Sequence, residues 1–146
     1  VLAIGVVAIL TAMAIGAVGN VIVSNAVGVD TQWGVSAAVI AQIVLASELG
    51  MLIGFVLGLL IRNSPGAIVG YFVYAMLVPS LFGALAAFQE WFAELQPWVD
   101  LNFSSTRLYD QEMTGEMWAQ LGTSSLIWLA LPLALGLWLV RRSEVK

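Results

Sequence analysis

Polar and apolar positions along this chain fall into long blocks, not stripes. Residues 1–24 carry no charge, and Asn20 is the one strongly polar residue inside that block. A polar link with Asp30 and Trp33 follows. Further apolar blocks cover 35–61, 65–88 and 122–140. A helix crosses a hydrocarbon core with roughly 20 apolar residues. Helices that pack in water keep a polar face, and most of these blocks have none. The pattern predicts an all-α fold, a polytopic transmembrane helix bundle with about four crossings.

The remaining long stretch, residues 89–121, is polar but patterned. Phe88, Trp91, Phe92, Leu95 and Trp98 recur at near-helical spacing, with Glu90 and Glu94 on the other side. This predicts a short amphipathic helix at the membrane interface, ended or kinked by Pro97. Arg62-Asn63-Ser64-Pro65 reads as a tight turn between two blocks, with Ser64 as N-cap and Pro65 as first helical residue. Pro79 and Pro132 lie inside blocks and predict kinks. Gly50, Gly54 and Gly58 share one helix face, the pattern by which two membrane helices pack closely.

Composition narrows the chemistry. Of 146 residues, 61% are hydrophobic and 10% charged, where a soluble domain carries about 25% charged residues. The absence of cysteine and histidine excludes disulfides, thiolate metal sites and histidine-based catalysis. No basic patch with interleaved aromatics supports nucleic-acid binding. No phosphate-binding loop and no nucleophile with an identifiable base occurs, so we expect no enzyme activity and no ATPase site in this chain. The opening at Val1 lacks a basic n-region and its apolar run is longer than an h-region, so we do not expect it to be a signal peptide. The missing initiator Met leads us to expect a piece of a longer chain.

Charge also sets an orientation. The net charge of −4 comes from the 89–121 stretch, where Glu90, Glu94, Asp100, Asp110, Glu112 and Glu116 face a single base, Arg107. Arg62, Arg141, Arg142 and Lys146 all fall on the other side of a four-crossing topology. Basic residues mark the cytoplasmic side, so the Arg62 turn and the tail 141–146 are expected inside and the acidic loop outside. Trp33, Trp91, Trp98, Trp118 and Trp138 sit near block ends, as an aromatic belt requires.

Glu48 is the sharpest functional candidate, with Gln42 as a second polar intramembrane residue. A carboxylate at bilayer depth is costly and faces a bundle interior or a water-filled path. It serves either as a polar point on a transport route or proton site, or as a hydrogen-bonded tie between helices.

The run from Glu48 to Ala67, a Gly-rich helix ending in Leu60-Ile61-Arg62-Asn63, a short turn and Gly66-Ala67-Ile68, resembles the permease subunits of bacterial ATP-binding-cassette (ABC) exporters of the type-2 class. Gln96-Pro-Trp-Val-Asp-Leu-Asn102 before the last block and the closing Arg141-Arg-Ser-Glu-Val-Lys146 are similar too. The resemblance covers most of the chain from Ala37 onward. It implies the last four helices of a six-helix permease of the inner membrane, with the acidic loop as an external re-entrant region. It implies a second permease copy, and a separate ATPase subunit that holds ATP and Mg and meets the Arg62 to Pro65 turn. The family's first two helices and the coupling helix after them have no counterpart here. Two other readings stay open: an accessory subunit of a larger membrane complex, and an ion-coupled carrier using Glu48.

Overall fold

The computed structural model describes residues 2–34, 36–110 and 112–143. The expected block boundaries at Val1 and Val35, and the tail basic residue Lys146, lie outside them. The described residues form an all-helical bundle: α1 (Leu2–Val27), α2 (Ala37–Ile61), α3 (Ser64–Phe88), α4 (Glu90–Val99), α5 (Leu101–Asp110) and α6. The last is continuous through Gly115–Ser125, Leu126–Ala130 and Leu131–Ser143. Four helices, α1, α2, α3 and α6, are long and apolar enough to cross a membrane; this is a multi-pass membrane protein.

The central helix is α2, which packs against α1, α3, α5 and α6. Of its buried positions, Gln42, Ala46, Leu49, Ile53 and Val56 alternate steps of four and three residues and so form one stripe, with Glu48 off it. Ala46, Leu49, Ile53 and Val56 meet Leu101 and Leu108 of α5 and Leu121 and Leu129 of α6 in the core. Ser36 caps the helix, its hydroxyl accepting the Val39 N–H at 3.3 Å.

α1 is nearly free of such packing, with Gly5 and Ser24 its buried residues. Two of its polar side chains are satisfied locally, Thr11 Oγ1 donating to the Val7 carbonyl at 2.7 Å and Asn25 Nδ2 to that of Val21 at 2.9 Å, while Asn20 Nδ2 donates to the Gln32 carbonyl of the following link at 3.3 Å. A helix facing lipid has to close its hydrogen bonds within itself in this way.

The turn from α2 to α3 is tighter than its sequence predicts. Arg62 adopts the left-handed conformation (φ 52°, ψ 23°), and its N–H returns to the Gly58 carbonyl. The cap therefore moves one residue earlier: Asn63, not Ser64, accepts the Gly66 N–H at 3.4 Å, and Ser64 begins the helix ahead of Pro65. The Ile61 side chain then packs against the bare backbone of α3, since a Cβ on Gly66 or Gly70 would lie 2.9 Å from it.

Neither internal proline ends its helix. Each follows a π-helical turn: Val73–Leu77 before Pro79 and Leu126–Ala130 before Pro132. A proline ring pushes on the carbonyl four residues back and offers it no N–H. Widening the preceding turn moves that carbonyl aside, with Val78 N–H bonding Val73 and Leu131 N–H bonding Leu126.

Candidate functional site

The segment 89–121 departs most from a plain loop. It holds two helices, α4 and α5, folded back as a hairpin broken at Asp100. Pro97 neither ends nor starts the break; it is buried inside α4, which continues to Val99. α6 begins at Gly115, before the apolar block at Gly122, because Thr114 caps it by accepting the Met117 N–H at 3.3 Å. Of the aromatic face on α4, Phe92 turns inward with Gln96, Trp98 is half-buried, and Trp91 and Leu95 are exposed.

The hairpin tip is held by polar side chains. Asp100, 2% exposed, caps α5: its Oδ1 accepts the Phe103 N–H and its Oδ2 accepts Gln96 Nε2, both at 3.1 Å. Ser104, also buried, donates its hydroxyl to the Pro97 carbonyl. Trp128 Nε1 donates to the Val99 carbonyl at 2.7 Å. Broken helices at membrane depth persist only where their free carbonyls and N–H groups find such partners. Trp128 lies about 20 Å along α6 from Gly115 at 1.5 Å per residue, so the tip reaches the middle of the spans. Leu101, just past it, shares a hollow with Ile53 and Tyr74, which confirms that depth from α2 and α3.

The two π-helical turns meet here. The rings of Tyr74 and Trp128 lie 5.2 Å apart, and both line an apolar cavity of about 290 Å³ with Val78 and Pro132. π-turns inside helices occur often at functional sites. On the outer flank, Arg107 stacks on Phe103 (4.7 Å to the ring centroid) and donates to Gln120 Oε1 at 2.8 Å; Gln120 in turn donates to Glu116.

Glu48 sits elsewhere. It is 8% exposed and turned to α1, where a Cβ on Gly5 would run into its carboxylate. Neither carboxylate oxygen has a hydrogen-bond partner among the described residues, and the same holds for Oε1 of buried Gln42. Gln42 belongs to the core stripe of α2, whereas Glu48 lies beside it, so the structure does not bring the two into one site.

Gly50, Gly54 and Gly58 do share a face, but no neighbouring backbone closes on them. A Cβ would meet nothing within 4 Å at Gly50 or Gly58, and only Tyr71 at 4.0 Å at Gly54. The glycines that allow close approach within the chain are Gly5, Gly66, Gly70 and Gly136. Gly50→Ala is therefore expected to leave the unfolding midpoint in detergent unchanged or raised, by up to about 1 kcal/mol from helix propensity. A drop would show that this face is packed in the assembled protein.

The sequence placed Gln96 and Asp100 in a run that carries the resemblance, but gave neither them nor Ser104 a role, and did not single out Trp128. An aspartate directly before a helical run is an N-cap signal, and Asp100 before Leu101–Asp110 carries it. Trp128 carries none, since one tryptophan within an apolar block looks like any other.

No family model matches the chain, and no curated protein or solved structure matches it.

Proposed function

We propose that this chain is the membrane-spanning permease part of an ATP-driven ABC exporter of the type-2 class, moving its cargo by alternating access. The observation that carries the reading is the broken hairpin α4–α5, placed between the last two spans and reaching their middle, where the resemblance puts an external re-entrant region. The basic turn at Arg62 to Pro65 is the docking point for a separate ATPase subunit that supplies ATP and Mg. The turn joins α2 and α3 with almost no slack. A push on it moves both helices, and the π-turns before Pro79 and Pro132 give the spans a place to bend. A second permease copy completes the assembly, in the inner membrane with the C-terminus cytoplasmic.

A second reading, an ion-coupled carrier, draws on one observation: the buried carboxylate of Glu48 without a partner among the described residues. Purification of the native membrane complex separates the readings. The exporter is expected to carry a subunit that hydrolyses ATP with Mg, and to crosslink to it from a cysteine placed at Asn63. A complex without ATP hydrolysis whose transport collapses with the proton gradient supports the carrier. A complex with neither property is an accessory assembly, and the exporter reading falls.

A further inference from the structure

We propose that α2, α3 and α5 enclose one continuous cleft, the route of an uncharged amphiphile; this deepens the exporter reading and rests on it. Three hollows of about 590, 190 and 380 Å³ follow the seam between these helices. The first two share Ala46, Gly50, Tyr71 and Tyr109, and the last two share Asn102 and Thr106, so each runs into the next.

On α3 the lining passes through Ala67, Tyr71, Ala75, Pro79 and Gly83, a four-residue step that keeps to one face. From Ala67 to Gly83 the helix rises about 24 Å, most of a hydrocarbon core about 30 Å thick. The facing wall is the polar side of α5, with Asn102, Thr106 and Tyr109 again at helical spacing. Gly50 and Gly54 form the floor, which explains a glycine face that no backbone approaches.

The chemistry of the wall selects the occupant. Ser105 and Thr106 donate to the Asn102 carbonyl at 3.1 and 2.8 Å, leaving hydroxyl lone pairs free to accept. No hydrogen bond ties the hydroxyls of Tyr71, Tyr74 or Tyr109 to another described residue. A row of hydroxyl and amide groups serves neither lipid contact nor a dry core. The charged lining residues are Asp100 and Arg107, opposite in sign, both at the hairpin and both already bonded to protein groups. An ionic cargo passing Ala67 to Ala75 meets no counter-charge and is penalised at that depth. An uncharged amphiphile fits, its polar groups against Asn102, Ser105 and Thr106 of α5 and its apolar body against the glycines and the rings of Tyr71 and Tyr74.

The chain has no cysteine, so single cysteines report without background. Ala75→Cys and Thr106→Cys probe the cleft, and Leu81→Cys, 58% exposed on the opposite side of α3, is the lipid-facing control. In membranes holding the intact complex, a hydrophilic maleimide is expected to label the two cleft positions about tenfold faster than the control. Octyl glucoside below its micelle-forming concentration is expected to slow that labelling, and decyl sulfate to leave it unchanged. Adding Gly50→Leu, which fills the floor shared by the first two hollows, is expected to bring Ala75→Cys down to the control rate. Equal rates at all three positions would overturn the cleft. Protection by decyl sulfate as strong as that by octyl glucoside would overturn the uncharged class. None of these rates requires an ATPase subunit, so this failure and that of the exporter reading are told apart.

Discussion

Asp100→Ala is expected to destabilise the purified protein by about 2–4 kcal/mol, combining a lost N-cap with buried donors left unpaired. Both carboxylate oxygens are in use, one on the Phe103 N–H and one on Gln96, and the side chain is 2% exposed. Asp100→Asn keeps an oxygen for the Phe103 N–H, and Gln96 can turn its amide to face the new one. That variant is expected to lose about 1 kcal/mol or less. Unfolding midpoints in detergent, measured for both variants against the parent, check the ordering. Equal losses would mean that the charge, not the hydrogen-bond geometry, holds the tip.

Gly136→Leu is the second large effect. A Cβ there would lie 2.8 Å from Leu59 Cδ2 and 2.9 Å from its Cγ. Leu59 belongs to α2 and Gly136 to α6, so the added side chain forces two spans apart. Overpacking of this kind costs about 1–3 kcal/mol. Leu59→Ala in the same chain makes room and is expected to recover at least half of the loss. The double-mutant cycle then shows a coupling of opposite sign to the single losses. If Leu59→Ala worsens the variant instead, the contact does not set the spacing of these helices.

The two predictions mark where the sequence was readable and where it was not. The four spans were legible because lipid allows only long apolar helices, and length alone finds them. The hairpin was half legible. Trp91 and Leu95 revealed helical spacing, but their exposed side belongs to the surroundings, and the inward side, Phe92 and Gln96, is mixed in polarity. A re-entrant segment buries amides and carboxylates against each other, so hydrophobicity misreports it. The glycines show the same limit from another direction. Gly50, Gly54 and Gly58 have the regular spacing that suggests a packing face, whereas Gly136, isolated in its block, makes the close approach. Spacing gives which residues share a face, and only the neighbours decide what the face does. Asn63 displaced Ser64 as cap because Arg62 took a left-handed conformation, a backbone choice that side-chain preferences alone do not dictate.

The bond from Trp128 to the Val99 carbonyl spans 29 residues of sequence, and this orders events during synthesis. α2 and α3, joined at Arg62 and Asn63, can enter the bilayer together as a pair. The segment after Phe88 cannot settle at that moment, because the groups that satisfy its tip have not all been made. It has to wait at the membrane surface until α6 leaves the ribosome and brings the indole. A nascent chain stalled before Trp128 should therefore leave residues 90–110 open to proteases that the finished protein resists.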